Sequence, residues 1–523
     1  MSNDKLPPGD SHGRLIRSTS ILSLGTLSSR ILGFIRDIIL AGMLGTGLRA
    51  DAFFVALKIP NLLRSFVGEG ASDSAVVPVF AEYRVKKTPE EFWRFVSVFL
   101  VLALMVLSAL TLAGILLAPW IIRVIAPGFM ADPEKLTLTV RLTRLMFPYI
   151  ILIGLTAYSV AILYTFRSFV SPAFSPCLFN IAIIAGALFS PRVMDEPVYG
   201  LALSVLAGGF LQLMVHIKPM RKQGLRWHRP ATLRHPGALQ IGRLLAPRLV
   251  GAGVYQLTVL IDTFCASLAS IVGAGGISAI YYANRIIQFP LGLFSIAMAS
   301  AALPTLSGFA ATEDMEQFKR TLMFSLKNIL YVLFPVAVAT MLLARPIIRV
   351  LFERGAFDAY STTISSSALV FYAVGLFSFG AIKILVSAFY ALKDTKTPVK
   401  VAGLCLGVNA LLNFVLMFPM KIGGIALASS LAAMIDVSIL FYLLQKRLGD
   451  LSRGLRGFGL KIFISSGVMA LVMATLRIYI PSSSGIIELI VLGAGGVLVY
   501  GAMTWILNVE QARQIWQWIS HRR

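Results

Sequence analysis

Three charged side chains interrupt the first apolar segment of the chain, which reads STSILSLGTLSSRILGFIRDIILAGMLG. If the segment is helical, the i, i+4, i+7 and i+8 spacing places Ser29, Gly33, Arg36 and Asp37 on one face, with Arg30 at its edge. A charge at the bilayer centre costs about 2.5–3.5 kcal/mol on insertion scales, so such residues usually face a bundle interior or a wet cavity. The face indicates a polar binding site; an internal Arg36–Asp37 ion pair with snorkelling is the structural alternative.

The second segment, ADAFFVALKIPNLLRSFVGEGASDSAVVPVFAEY, is more polar still. Pro60 and the glycine-rich run at 68–70 predict a break or kink in its helix. Broken polar helices are tolerated at membrane depth only where they line protein or water, so this segment extends the candidate site. Asp51 lies near the predicted external end, where an interface anchor is as good an interpretation as a functional role. The charged and amide residues of the segment are Asp51, Lys58, Asn61, Arg64, Glu69 and Asp73.

Arg285 is the one full charge in a third apolar segment, 277–309. A guanidinium group binds phosphate through two parallel hydrogen bonds, so an arginine-rich site suits a phosphate-bearing anion. The sequence has no Walker A motif, no GxSxG motif and no Cys/His metal spacing. We therefore expect no enzyme activity and no ATP-driven pump.

A separate set of oxygen-bearing residues could hold a sodium ion in the second half of the chain. Asn409 and Asn413 are spaced i, i+4 in one segment, Asp262 lies in an earlier one and Ser429 in the next. Hydrogen bonding between helices by asparagine is the alternative interpretation. No other cofactor is expected, and any driving force would come from ions or from the membrane potential.

The composition places the chain in the class of α-helical membrane proteins. It has 523 residues, of which 57% are hydrophobic and 14% charged, and a mean hydropathy of +0.81. Soluble domains are about 45–50% apolar and about 25% charged. A net charge of +23 would suggest nucleic acid in a soluble protein, but here lysine and arginine in cytoplasmic loops explain it better.

The apolar segments predict an all-α polytopic fold with about 14 transmembrane helices. The approximate spans are 15–44, 51–83, 92–118, 138–165, 172–191, 197–217, 240–270, 277–309, 320–344, 363–391, 398–419, 423–445, 458–479 and 485–508. Every second connection is basic, as in RVKK at 84–87, and lysine and arginine favour these connections by about three to one. Both termini are therefore predicted to be cytoplasmic.

The chain also contains an internal repeat with a constant offset of 226 residues. IIRV at 121–124 recurs at 347–350, and four further pairs obey the same offset: Pro78 with Pro304, Gly154 with Gly380, Tyr164 with Tyr390, and Pro172 with Pro398. Such regularity indicates a duplication. Two parallel six-helix halves are typical of transporters that bind their substrate between the halves. Lys58 and Arg285 then fall at equivalent positions, with a one-residue slip.

The repeat predicts two six-helix lobes related by internal repeat, plus two C-terminal helices. The domain boundaries that follow are a cytoplasmic tail at 1–14, an N-lobe at 15–217, a basic cytoplasmic linker at 218–239, a C-lobe at 240–445, two further helices at 446–508 and a cytoplasmic tail at 509–523. The last tail could be an interfacial amphipathic helix or an ordinary cytoplasmic end.

Several motifs closely resemble the MurJ/MviN lipid II flippases of the multidrug/oligosaccharidyl-lipid/polysaccharide exporter superfamily. They are SSRILGFIRD at 28–37, the whole of 50–83, APGF at 126–129, FPYI at 147–150, YYANRIIQFP at 281–290 and KDTKTPVK at 393–400. The resemblance covers almost the whole chain. It implies fourteen helices in two lobes, a lipid-tail groove at 446–508, and transport of lipid II from the cytoplasmic to the outer leaflet.

The resemblance also implies roles for individual residues. The family's functional residues match this chain at Ser29, Arg30, Arg36, Asp37, Asp51, Arg64 and Arg285. The four arginines would bind the pyrophosphate or sugar portion, and Asp37 would pair with Arg36 or gate the cavity. Some members bind sodium, which supports the ion assignment to Asp262, Asn409, Asn413 and Ser429.

The sequence departs from some relatives at three positions. Asn284 and Gln288 stand where those relatives carry acidic residues, which leaves Arg285 less neutralised and disfavours a mechanism that needs carboxylates there. Asn413 likewise replaces an acid in the candidate ion site, which weakens the case for the ion.

The principal hypothesis is a lipid II flippase that works by alternating access as a monomer in the bacterial inner membrane. Its expected partners are lipid II, membrane lipids and, as a possibility, other cell-wall synthesis proteins, with no nucleic acid. A flippase for another polyprenyl-linked glycan cannot be separated from it by electrostatics. A drug or cation antiporter of the same superfamily should carry a cavity dominated by acids, and a non-transporting scaffold would not need the duplication.

Overall fold

The structure is a computed structural model that describes residues 8–67, 75–229, 232–451, 453–479 and 485–520. Within these ranges the chain is almost entirely helical and contains no strand. This confirms the all-α fold class.

The first half of the chain contains eight helices. They are α1 Pro8–Leu44, α2 Leu48–Val67, α3 Val77–Lys86, α4 Pro89–Ile125, α5 Pro133–Met146, α6 Tyr149–Thr165, α7 Val170–Val193 and α8 Pro197–Lys222. α1 begins at Pro8 rather than at residue 15, so the described part of the predicted N-terminal tail is helical.

The second half contains eleven helices among the described residues. They are α9 Pro236–Ser267, α10 Ala269–Val272, α11 Gly276–Pro290, α12 Ile296–Ala311, α13 Met315–Phe352, α14 Ala359–Val374, α15 Leu376–Ala391, α16 Lys396–Leu448, α17 Arg453–Tyr479, α18 Gly485–Ile506 and α19 Glu510–Ser520. A single π-helical turn, Leu291–Ser295, joins α11 to α12.

The chain separates into two compact units. Unit 1 comprises residues 1–44 and 48–256, and unit 2 comprises residues 45–47 and 257–523. The division falls within α9 and not in the basic linker. The lobe boundaries of the sequence analysis, which follow helix order, stay a prediction.

Nine helical stretches of the described chain are long and apolar enough to cross a membrane, or up to ten if the bent pair α14–α15 is one span. α1, α2 and α9 are not among them. α1 carries three charges in its apolar part, and α16 contains two predicted segments in one helix that is interrupted only at Lys421, with φ 51° and ψ −130°. The predicted count of fourteen is therefore not confirmed.

The predicted second segment, 51–83, is divided between two helices. α2 continues through Pro60 and ends at Val67, so the proline does not end it. α3 begins at Val77. The glycine-rich run at 68–70, Glu69 and Asp73 lie outside the described residues.

Helix boundaries repeat with the offset found in the sequence. α4 and α13 begin 226 positions apart, and so do α5 and α14 as well as α7 and α16. Because each helix recurs with its connections, the matching residues are part of a structural duplication and not a chance identity of letters.

Small residues allow α7 and α8 to pack closely within unit 1. A Cβ added to Gly186 would lie 2.5 Å from Ser204 Cβ, and one added to Gly200 would lie 2.3 Å from Ser190 Cβ. Membrane helices lack a hydrophobic driving force for association, so close van der Waals contact of this kind is what holds them. α7 in turn carries Asn180, which the candidate site uses.

We expect Gly186→Ala to destabilise the protein although alanine is the better helix former. The added methyl group would overpack the α7–α8 contact at a cost of about 1–3 kcal/mol, which outweighs a propensity gain of about 1 kcal/mol. Gly403→Ala is the matched control, because no atom lies within 4 Å of its added Cβ. Thermal unfolding in detergent should show a lower Tm for Gly186→Ala alone; equal Tm values would contradict the packing argument.

Candidate functional site

The charged face of α1 forms a hydrogen-bonded network with α7. Arg36 Nε and Nη2 donate to Asp37 Oδ1 at 3.0 and 2.8 Å, and Arg36 Nη1 donates to Asn180 Oδ1 at 3.1 Å. Asn180 Nδ2 donates to the backbone oxygen of Ser29 at 3.0 Å. One arginine thus joins its neighbouring carboxylate and an amide of another helix.

Because the network is buried, each of its charged groups depends on the presence of the other. The Asp37 side chain is fully buried and that of Arg36 is 13% exposed. Removing one partner of a buried ion pair costs about 3–5 kcal/mol, because the other charge remains uncompensated. The geometry is that of the internal Arg36–Asp37 pair which the sequence left as an alternative to direct substrate contact.

The close approach of α1 to α7 depends on Gly25. A Cβ there would lie 2.4 Å from the backbone oxygen of Ala173 on α7. Gly33, two turns further along α1, is buried as well. Glycine at position 25 lets α1 lie close to α7, the helix that carries Asn180.

Asp51 forms a second buried ion pair in unit 1. Lys135 Nζ on α5 donates to Asp51 Oδ2 at 2.7 Å, with side-chain exposures of 9% and 2%. The same ammonium lies 4.3 Å from the ring centroid of Phe129, which belongs to the APGF motif. Asp51 therefore ties α2 to α5 through its lysine, and the motif residue Phe129 helps to hold that lysine in place.

The remaining predicted anion ligands are more accessible. Arg30 is exposed on α1, and Arg64 on α2 and Arg285 on α11 are half-buried. Arg30 and Arg64 belong to unit 1 and Arg285 to unit 2. Beside Arg285, Gln288 Nε2 donates to Asn284 Oδ1 at 3.5 Å, so the two amides that replace acids lie together.

The four residues of the candidate ion site form a closed hydrogen-bonded ring in unit 2. Asn413 Nδ2 donates to Asp262 Oδ1 at 2.8 Å and to Asn409 Oδ1 at 3.1 Å. Asn409 Nδ2 donates to Ser429 Oγ at 3.3 Å, and Ser429 Oγ donates to Asp262 Oδ2 at 3.1 Å. The ring brings together all four residues that the sequence proposed.

The ring consists of oxygen-bearing side chains, and the amide nitrogen of Asn413 donates hydrogen bonds to two of its oxygens. Asn413 is fully buried, and within the described chain its Oδ1 has no hydrogen-bond partner. Rotating this amide by half a turn would direct Oδ1 towards the oxygens of Asp262 and Asn409, a repulsion that a cation would relieve. The described residues contain no group of three or more His, Cys, Asp or Glu side chains able to hold a metal ion.

Sequence reasoning missed Asn180 and Lys135. Asn180 is separated by 144 positions from Arg36, and Lys135 by 84 from Asp51. Each is a single polar residue in a helix with an unremarkable pattern, and only the packing of the helices reveals its partner. The rule that a buried charge requires a partner predicts that such residues exist but not where they are.

Comparison with known proteins supports one family. The model of the family described as lipid II flippase MurJ matches residues 40–491. The chain is 36% identical over 439 residues to the lipid II flippase MurJ of Burkholderia cenocepacia, which covers 83% of this chain and 84% of that protein. It is 35% identical over 460 residues to the probable lipid II flippase MurJ of Buchnera aphidicola, which covers 88% and 89%.

Solved structures agree with these sequence matches. A lipid II flippase MurJ in an inward closed conformation superimposes with a TM-score of 0.79 at 28% identity, covering 94% of this chain and 99% of that one. An inward-facing multidrug resistance MATE transporter of the MOP superfamily gives a TM-score of 0.66 at 16% identity, covering 83% and 99%, and so shares the fold alone. With most of its length matched by the family model and by relatives above 30% identity, the chain belongs to the lipid II flippase MurJ family.

Proposed function

We propose that the protein moves lipid II, the undecaprenyl-pyrophosphate-linked peptidoglycan precursor, from the inner to the outer leaflet of the cytoplasmic membrane by alternating access. The observation that carries this proposal is the 36% identity, over most of both chains, to a protein named lipid II flippase MurJ. The protein is a multi-pass membrane transporter and not an enzyme.

The accessible arginines are the proposed ligands of the lipid phosphates. Arg30 is exposed and Arg64 and Arg285 are half-buried, and the planar fork of arginine matches phosphate oxygens. Arg36 and Asp37 act on the substrate indirectly, because their mutual bond and the contact with Asn180 fix the orientation of α1. Ser29 accepts from Asn180 and belongs to the same supporting network.

An anionic substrate also gives the transport a direction. With the inside negative, the membrane potential favours outward movement of each negative charge by about 2.3 kcal/mol per 100 mV. We propose this potential as one driving force.

Sodium is the proposed second contribution to the driving force. Asp262, Asn409, Asn413 and Ser429 would hold the ion, which would supply a positive charge at the half-buried Asp262 carboxylate. The oxygens of this ring and the buried Asn413 Oδ1 support the assignment. In the ion-free state the ring closes on itself through the Asn413 amide.

The two C-terminal helices of unit 2 are the proposed groove for the polyprenyl tail. α17 and α18 pack against each other and are joined by an ion pair between Arg477 Nε and Glu488 Oε1 at 3.0 Å. Tyr500 Oη donates to the backbone oxygen of Tyr331 at 2.7 Å, which fixes α18 to α13. Large apolar side chains remain exposed on both helices, including Leu460, Phe463, Leu471, Val497 and Leu498.

We also propose that both termini face the cytoplasm and that the protein works as a monomer, with other cell-wall synthesis proteins as partners. The basic connections 84–87, 218–230, 393–400 and 445–457 support this orientation. A flippase for a different polyprenyl-linked glycan is the nearest alternative, because the same arginines would bind any polyprenyl pyrophosphate.

We expect the wild-type chain to restore growth to a bacterium depleted of its own lipid II flippase. Arg64→Ala and Arg285→Ala should reach normal abundance yet fail to restore growth, because each removes a proposed phosphate ligand and leaves the buried pairs Arg36–Asp37 and Lys135–Asp51 in place. Arg94→Ala is the control, since Arg94 pairs with Glu90 on an exposed helix surface. Full rescue by both site variants would refute the assignment, and a leaflet assay with labelled lipid II would separate lipid II from other glycan lipids.

Arg36→Ala should behave differently and lower the amount of folded protein. The variant leaves the buried Asp37 carboxylate without its guanidinium, at a cost of about 3–5 kcal/mol. Removing both charges with Arg36→Met and Asp37→Leu should recover much of the lost Tm, as a double-mutant cycle would measure. Normal Tm for Arg36→Ala with lost transport would instead make Arg36 a direct substrate ligand.

Sodium should raise the Tm of the purified protein relative to potassium at the same ionic strength. Binding of one ion at ten times its Kd would stabilise the folded state by about 1.4 kcal/mol. Asp262→Asn should abolish the shift and Asn413→Asp should enlarge it, while Asp195→Asn, an exposed acid in unit 1, should leave it unchanged. If the ring serves only to hydrogen-bond the helices to each other, sodium will not raise the Tm specifically in the wild type or in Asn413→Asp.

A further inference from the structure

A polar cavity of about 500 Å³ lies in unit 2, where the start of α13, the connection from α16 to α17 and the start of α19 meet. Among the described residues, its lining includes none of those assigned above to the substrate or to sodium. The helix ends that form it belong to the side predicted to be cytoplasmic. The cavity thus offers a second polar site on the same protein.

Two lysines of α13 project towards this connection. A Cβ on Gly449 would lie 3.7 Å from Lys319 Nζ, and one on Gly454 would lie 3.6 Å from Lys327 Nζ. Neither lysine forms an ion pair within the described part of the chain, whereas their neighbour Arg320 is paired with Glu316 at 3.4 Å. Lys327 Nζ lies 5.7 Å from the centroid of the Phe458 ring, its one aromatic contact there.

Two carboxylates line the same cavity. Asp450 accepts a hydrogen bond from Gln445 at 3.5 Å, and Glu510, in the first turn of α19, accepts one from Gln514 at 3.2 Å. The contact of Glu510 comes from a neutral amide, so its negative charge is still available to a cation. The cavity therefore presents both signs of charge to a ligand.

Gln511 indicates, independently of the charged residues, that a polar ligand binds in this cavity. It lines the cavity, is only 3% exposed, and within the described chain neither its Oε1 nor its Nε2 has a hydrogen-bond partner. Buried polar groups in native proteins are nearly always hydrogen-bonded. A side-chain amide has two donors on nitrogen and an acceptor on oxygen, so a ligand that satisfies it must itself both accept and donate.

We propose that this cavity binds the headgroup of a phospholipid that carries a phosphate and a primary ammonium, as phosphatidylethanolamine does. Lys319 and Lys327 bind the phosphate, and Glu510 binds the ammonium. Gln511 donates from Nε2 to a phosphate oxygen and accepts at Oε1 from the ammonium.

The surroundings of the cavity suit a lipid rather than a soluble phosphate. Met323 and Phe324 line it, and Phe324 is 48% exposed, so an apolar surface for an acyl chain adjoins the charged groups. The sequence of α19 contains Trp516 and Trp518, and tryptophan is enriched at membrane–water interfaces.

Other common headgroups leave part of the lining unsatisfied. Phosphatidylglycerol has no cation for the Glu510 carboxylate. Phosphatidylcholine has a quaternary ammonium without N–H donors, so it offers nothing to the oxygen of Gln511. The preference for a primary ammonium is the feature that distinguishes this site from a general basic patch.

Native mass spectrometry of the purified full-length protein tests the proposal with lipids of equal chain length. Phosphatidylethanolamine should bind about tenfold more tightly than phosphatidylcholine, since charge-assisted hydrogen bonds are lost. Lys319→Gln with Lys327→Gln should weaken binding about thirtyfold, because each lysine near a lipid surface contributes about fivefold. Glu510→Gln should weaken binding of phosphatidylethanolamine but not of phosphatidylglycerol.

Two further variants control for the loss of positive charge and test the role of the Gln511 amide. Lys218→Gln with Lys222→Gln removes two exposed lysines of unit 1 and should leave binding unchanged. Gln511→Leu should raise Tm without lipid, because a buried unpaired amide is removed, and should abolish the stabilisation by phosphatidylethanolamine. Equal binding of the three lipids, unchanged binding by the α13 double variant, or a lipid-induced shift retained in Gln511→Leu would each overturn the proposal. Displacement of the lipid by phosphoethanolamine alone at equal concentration would assign the site to a soluble ligand instead.

Discussion

A charged group inside a bilayer must find its partner within the protein, and this constraint governs the helices that carry the candidate site. Arg36 and Asp37 satisfy it with each other and with Asn180 of α7. Asp51 satisfies it with Lys135 of α5. These bonds join α1 to α7 and α2 to α5, so the charges that look like functional groups in the sequence also help to decide how the first two helices are held.

The constraint divides the predicted site residues into two groups. Residues whose charge is already neutralised inside unit 1, such as Asp37 and Asp51, support the fold. Arg30 is exposed and Arg64 and Arg285 are half-buried, and these three are the arginines that we propose as ligands of an anionic substrate. A transporter needs both groups, because a ligand can be oriented only if the helices beneath its binding groups are fixed.

Unit 2 gathers its polar ring around one carboxylate. Asp262 is surrounded by amides and a hydroxyl of α16, and all four side chains share hydrogen bonds. Within the described chain the Asn413 side-chain oxygen lacks a hydrogen-bond partner, and we propose that an ion satisfies it. Gln511, in the cavity at the start of α13, likewise lacks hydrogen-bond partners among the described residues. In both places we propose that the partner of the incompletely bonded amide is a ligand.

The amino-acid sequence by itself determined the helical membrane class, the duplication with its offset of 226 residues and the identity of the charged residues, because hydropathy and residue spacing are local properties of the chain. It also brought together Asp262, Asn409, Asn413 and Ser429 correctly, since three of the four lie on neighbouring stretches of α16. Only the tertiary structure decided that Arg36 bonds to Asn180, that Asp51 bonds to Lys135 and that α2 continues past Pro60. Those partners lie on distant helices, and which helix face meets which is set by close packing at positions such as Gly25, which no local pattern encodes.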